Sequence, residues 1–174
     1  MKLQKQPTAW SCLPTAFAMA LDKPVEEIIK AIGHDGSEVY WPELESHWAN
    51  RAFHVQELVD YCFWNEIAVV CIDAMPCFNH FDSRAVAKEV KYLSGLEYAD
   101  RLERYLKSYF GVLVGTTNFN SGHAVAWDGE NVFNPRGAIE SLENANFNIM
   151  SFYILGKCRS KSFLYFPKLN EIFA

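Results

Sequence analysis

Long apolar runs, basic blocks and paired cysteines are all missing from this 174-residue chain, and each absence removes a class of function. A membrane-spanning helix needs about 20 consecutive apolar residues, and no stretch comes near that length. Sixteen Lys and Arg stand against 21 Asp and Glu, a formal net charge of −5, and the basic residues form no cluster. Neither nucleic acid nor membrane is therefore expected as a partner. The N-terminus, Met1-Lys2-Leu3-Gln4-Lys5-Gln6, runs into polar residues with no signal-peptide apolar region behind its lysines, so a cytoplasmic location is expected. The five cysteines, Cys12, Cys62, Cys71, Cys77 and Cys158, are odd in number and include no C-x-x-C pair. That spacing speaks against a disulfide scaffold and against a structural zinc site. Cys77 and His80 make one C-x-x-H pair, but no second pair follows, and it reads as chance. No metal and no organic cofactor is expected. Repeats, low-complexity tracts and Pro/Gly/Ser linkers are absent too, so residues 1–174 are expected to form one domain.

What the chain does have is apolar mass. Half of its residues are hydrophobic and 15% are aromatic, enough for a packed core and the opposite of a disordered composition. Cys12 to about Leu21 is apolar nearly all round, as in a helix buried inside a domain, with Pro14 tolerated in the first turn. A second helix is predicted over Pro24–Ile32, with Pro24 at its first position, Glu26 and Glu27 near its N-terminus and Gly33 at its end. A third follows over Val55–Trp64, then a buried strand over Ile67–Ile72. Helical spacing returns around Ser83–Leu93 and at Ala99–Phe110, where Glu103 and Lys107 stand four apart on a solvated face. Strands are expected at Val112–Val114 (ended by Gly115), on both sides of Asp128-Gly129, at Phe152–Leu155 and, as an edge, at Phe163–Phe166. Helices early and strands late predict an α+β domain with a mainly antiparallel sheet.

Two segments carry chemistry. Cys12 falls at the start of the buried helix, where the macrodipole favours thiolate over thiol. Its own N–H and a side-chain amide such as Gln6 could supply the donors a tetrahedral oxyanion needs. A cysteine in such a place is also an ordinary small hydrophobe, and the segment alone decides nothing. The second segment is Gly122-His123-Ala124-Val125-Ala126-Trp127-Asp128-Gly129-Glu130-Asn131-Val132-Phe133-Asn134-Pro135. Asp-Gly between strand formers signals a hairpin. A two-residue turn sets His123 opposite Asn134, so that the amide can hold one imidazole nitrogen and leave the other as base. A four-residue turn slips that register and takes Asn134 out of line. Singly, a strand histidine and an Asn-Pro turn are unremarkable; together with Cys12 they suggest a Cys-His-Asn site.

At these residues the chain resembles the papain-like cysteine peptidase clan, and within it the compact C39-like peptidases. Gln6 stands six residues before Cys12, Cys12-Leu13-Pro14-Thr15-Ala16 is similar to that family's Cys-x-Pro-x-Ala run, and Gly122-His123-Ala124-Val125 is similar to its His-bearing strand. Leu13 stands where Gly is frequent, and Asn134 where Asp is more usual. The likeness covers about 30 residues in two patches; residues 25–110 resemble nothing we can name. It implies a papain-like fold with Cys12 as nucleophile, His123 as base, Asn134 as orienter and Gln6 as oxyanion donor. The expected activity is hydrolysis or acyl transfer at an amide, peptide or isopeptide bond of a peptide or protein substrate. The alternative is a catalytically silent fold of the same kind acting as a binding or host-interaction module. Tyr40, Trp41, Trp48 and Trp64 could line a groove, though aromatics more often form core. His34, His47, His54 and His80 have no ligand-like spacing, and His54 reads as a loop residue before the third helix.

Overall fold

The computed structural model describes residues 1–44, 49–73, 98–117 and 121–157. Among them the elements run α1 (Cys12–Leu21), α2 (Val25–Ile32), α3 (Val55–Trp64), β1 (Ile67–Asp73), α4 (Tyr98–Ser108), β2 (Gly111–Thr117), β3 (Gly122–Trp127), β4 (Asn131–Asn134), β5 (Ala138–Ser141) and β6 (Phe147–Lys157). The strands form one sheet in the order β1-β6-β2-β3-β4-β5, with every pairing antiparallel. The α+β class with an antiparallel sheet therefore holds. The predicted segments Ser83–Leu93 and Phe163–Phe166, the Cys77–His80 pair and Trp48 lie outside the described residues.

Strand alternation explains the layering, since successive side chains point to opposite faces. Val112, Ala124, Ala126 and Phe133 face a core completed by Phe17, Met19, Ile28 and Leu58 of the first three helices. Leu113, Val125, Trp127, Val132 and Phe152 face the other way, towards Leu106 of α4. Trp127 ties that helix to the sheet by donating its indole N–H to the Leu106 carbonyl at 2.8 Å. Helix α1 packs chiefly on β3, which brings Cys12 and His123 to the same end of the sheet. Its residues Leu13 to Met19 are all buried, as the all-round apolar pattern requires.

Several boundaries differ from expectation for identifiable reasons. Pro24 is the N-cap of α2, not its first residue, and proline has no capping side chain. Gln4 takes over: its Oε1 accepts the Val25 N–H at 3.0 Å and its Nε2 donates to the Lys23 carbonyl at 2.6 Å. Strand β1 is half-exposed, with only Ile72 buried, because among the described strands it pairs with β6 alone. Gly115 does not end β2. The strand continues to Thr117 through a bulge at Val114/Gly115, where β6 carries Met150 as an extra residue between the partners Ser151 and Ile149. A Cβ at Gly115 would lie 1.9 Å from the Asn148 carbonyl oxygen, so the close approach of β6 requires glycine there. The expected Glu103–Lys107 ion pair is present at 2.5 Å on the exposed face of α4.

Candidate active site

Cys12 occupies the first position of α1, and the local sequence leaves the helix end open around it. Ser11 is the N-cap, yet its hydroxyl turns back to Thr8, donating to the carbonyl and accepting from the N–H, each at 3.0 Å. Pro14 has no N–H, and Thr15 is the first residue to bond within the helix, to Ser11 O at 3.2 Å. The N–H groups of Cys12 and Leu13 are thereby left to face the Cys12 sulfur, joined by the N–H of Ala124 from β3. All three donors, and the charge of Arg136, favour the thiolate. Burial of the thiol outweighs them and pushes its pKa up. This corrects the expectation that the helix end alone would favour thiolate: its backbone donors act in that direction, but desolvation is larger.

The hairpin carrying His123 and Asn134 also differs from expectation. Trp127 pairs with Val132 and Ala126 with Phe133, so Asp128 to Asn131 form a four-residue connection. Asp128 is the cause. Its carboxylate accepts the N–H of Glu130 at 2.9 Å and of Asn131 at 2.7 Å, and of the Asp128-Gly129 pair only Gly129 has a positive φ, 106°. A type I′ turn would need both. The register slips by two residues, which preserves the face. Asn134 therefore stands diagonal to His123 on the same side of the sheet, close enough for a side chain to span. The expectation that a longer turn would separate the two is wrong: Asn134 Oδ1 and His123 Nε2 are 3.0 Å apart.

The direction of that hydrogen bond follows from a neighbour. Arg136 donates its backbone N–H to the same Oδ1 at 3.0 Å, which identifies that atom as the oxygen. Nε2 must then carry the hydrogen, and in the neutral ring Nδ1 keeps the lone pair. Among the described residues nothing hydrogen-bonds to Nδ1. His123 is only 6% exposed, and burial, helped by the charge of Arg136, pushes its pKa down against the opposing effect of the hydrogen bond it donates to Asn134. Thiol and imidazole are thus both held towards their neutral forms.

Cys12 and His123 line one cleft of about 480 Å3, walled largely by apolar side chains including Trp10, Trp41, Phe53 and Met150. No hydrogen bond joins the two residues among those described. On its other side His123 borders a smaller cavity of about 280 Å3 shared with Asn134 and Arg136. Gln6 reaches this region through its backbone, whose N–H donates to Pro135 O at 2.9 Å. Its side-chain Nε2 donates to Thr8 O at 2.8 Å, and its Oε1 is buried without a partner. Gln6 does not line the cleft. Sequence reasoning missed Ala124 and Leu13, which act through backbone N–H groups that no side-chain pattern reveals. Arg136 was legible only as the residue after Asn134-Pro135. Trp41, a candidate groove residue, does line the cleft; Trp64 lines a separate cavity with His34 and Glu57. Asp128 is confined to its turn. His54 is the N-cap of α3, with Glu57 Oε2 accepting its N–H at 2.9 Å. Compared with protein-family models and with curated proteins, the chain matches none.

Proposed function

We propose that this chain is a papain-like cysteine hydrolase or acyl transferase acting on an amide, peptide or isopeptide bond. The observation that carries the reading is the fixed tautomer of His123. With Nε2–H given to Asn134, the basic Nδ1 belongs to a residue that lines the same cleft as Cys12. Orienter, base and nucleophile are then in the order acyl transfer requires. The sulfur of Cys12 attacks the carbonyl carbon, forming a C–S bond while its proton passes to Nδ1. The oxyanion is met by the Cys12 N–H; Gln6, whose Nε2 keeps one hydrogen beyond the one donated to Thr8 but whose side chain does not line the cleft, is the second candidate donor. The imidazolium then protonates the departing amine as the C–N bond breaks. Water or an amine, deprotonated by the same nitrogen, then bonds to the acyl carbon as the C–S bond breaks, and the proton passes from Nδ1 back to the sulfur of Cys12.

The neutral resting forms make this a general-base mechanism in which His123 takes the proton during attack. They are also the observation that favours the silent alternative, a binding module of the same fold. One experiment separates the two. Incubated with p-nitrophenyl acetate and read by site-resolved mass spectrometry, Cys12 should gain an acetyl group before the other cysteines and then lose it with turnover. His123→Ala should suppress both steps. Acetylation spread evenly over the cysteines, or unchanged in His123→Ala, would overturn the enzyme reading in favour of the binding module.

A further inference from the structure

The wall of the cleft is more constructed than a surface groove requires. Trp10 is fixed by its indole N–H, which donates to Asp35 O at 2.9 Å. Phe53 is fixed by His34, stacked on it with ring centroids 4.9 Å apart. His34 is itself held at both nitrogens, accepting the Gly36 N–H at 3.0 Å and meeting Glu57 Oε1 at 3.0 Å. Gly36, with φ 74°, has no room for a side chain: a Cβ there would lie 2.9 Å from Trp10 and 3.0 Å from Phe53. Between Arg51 and Phe53 the backbone of Ala52 adopts φ 55°, a left-handed conformation that is unfavourable for a non-glycine residue. Such strain persists only where the surroundings hold it. The same cleft is lined by Trp41, 45% exposed, and Met150, 58% exposed and set out of register by the β2–β6 bulge. Rigid aromatic rings together with an exposed indole and thioether describe a pocket for apolar bulk.

Resting on the cysteine–histidine reading, we infer that this cleft selects substrates with a bulky apolar side chain, aromatic above all, beside the bond that is cut. Glycine at that position would leave Trp41 and Met150 in water, whereas an aromatic ring covers them. Removing that area from water is the source of the preference. Among the polar side chains of the cleft Ser121 is left for the peptide backbone, while Asn50 already donates its Nδ2 to the Ser37 carbonyl at 2.7 Å.

The test uses two vinyl sulfones with the same N-acyl cap, one built on phenylalanine and one on glycine. Each alkylates Cys12 by addition of its S–H across the double bond, and p-nitrophenyl acetate serves as a small reference acyl donor. The phenylalanine probe should modify Cys12 roughly 10- to 100-fold faster than the glycine probe. Trp41→Ala and Met150→Ser, both at exposed positions, should each reduce that ratio at least about threefold. Equal rates for the two probes, with His123-dependent acetylation intact, would overturn the preference and leave the hydrolase reading standing. A ratio that both variants preserve would also overturn it, because the selectivity would then originate elsewhere. Failure of all three reagents at Cys12 would overturn both readings together.

Discussion

His34 and His123 are held by the same kind of bond and differ in what is left over. Each presents Nε2 to a side-chain oxygen at 3.0 Å, Glu57 for one and Asn134 for the other. At His34 a backbone N–H, from Gly36, occupies the second nitrogen. At His123 the corresponding N–H, from Arg136, goes to the orienting amide instead. The first ring is satisfied at both ends and serves as a brace under Phe53; the second keeps a basic nitrogen. The Glu57 carboxylate at His34 also accepts from Arg51 at 2.6 Å, an ion pair that fixes the carboxylate beside the ring. What separates the two histidines is therefore one backbone hydrogen bond, and the base role proposed for His123 can be tested from both sides.

The largest effect should come from exchanging the two roles. His123→Ala should lower the rate of Cys12 acetylation by about a thousandfold or more, the scale seen when a general base of a triad is removed. His34→Ala should leave that rate within a few-fold per folded molecule. It should cost about 1–3 kcal/mol of stability in urea unfolding, because Glu57 and Phe53 lose a packed partner. A thousandfold loss in both variants would mean that the two histidines are not distinct in kind.

A smaller effect should follow from the amide's own anchor. Asn134→Ala removes the acceptor and should slow acetylation about 10- to 100-fold by freeing the ring. Arg136→Pro deletes the N–H that fixes the amide together with the guanidinium, whereas Arg136→Ala deletes the guanidinium and keeps the N–H. The proline variant should fall between Asn134→Ala and wild type, and the alanine variant should stay near wild type in a buffer of physiological salt, which screens its exposed charge. Equal loss in both Arg136 variants would point to the guanidinium instead of the backbone.

How much of this was legible beforehand depends on which atoms do the work. Helices α1 and α3 are written in apolar periodicity and were found with their boundaries. The pairing of His123 with Asn134 is expected from a two-residue turn that does not form; it survives because a slip of two residues keeps both on one face. The turn itself was not legible, since Asp-Gly suits both a two-residue and a four-residue connection and only the Asp128 carboxylate bonds decide. Strand β5 and the bulge at Met150 were missed because neither has a composition signal; they arise from pairing between distant segments. The donors facing Cys12 were missed for a simpler reason. They are main-chain groups of Leu13 and Ala124, residues whose side chains announce only core.

The pH dependence of folding should bear the mark of the buried pair. His123 has its pKa lowered, so the unfolded chain binds a proton near its ordinary value of 6.5 while the folded protein does not. Stability should be full above about pH 6.5 and decline as the pH falls below it. The described carboxylates with lowered pKa, such as Glu57 and Asp35, add their losses only below about pH 4.5. At the other end Cys12 is raised above 9.0 and Cys62 is pushed up to about 12, both by burial. The folded protein then retains protons that the unfolded chain releases, and stability should fall as the pH rises past 9. Urea titrations across pH 5–10 should show the acid-side slope in wild type and its loss in His123→Asn. A slope that survives would assign it to another group.

The smallest effect concerns the two neighbouring glutamines, which repeat the histidine comparison on a lesser scale. Gln4 is satisfied at both ends, its oxygen on Val25 N–H and its nitrogen on Lys23 O, in place of the cap that Pro24 cannot provide. Gln6 has only its nitrogen engaged, and its Oε1 is buried with no acceptor role filled. An unfilled buried acceptor is a cost, and replacing it with an apolar group of similar shape removes that cost. Gln4→Met should therefore destabilise by about 1 kcal/mol, whereas Gln6→Met should be neutral or slightly stabilising in the same urea assay. If Gln6 is retained for chemistry, its loss should nonetheless slow Cys12 acetylation, by less than Asn134→Ala does, while Gln4→Met leaves the rate alone. A Gln6 variant that is more stable and equally fast would remove this residue from the site and leave the oxyanion to the backbone donors at the head of α1.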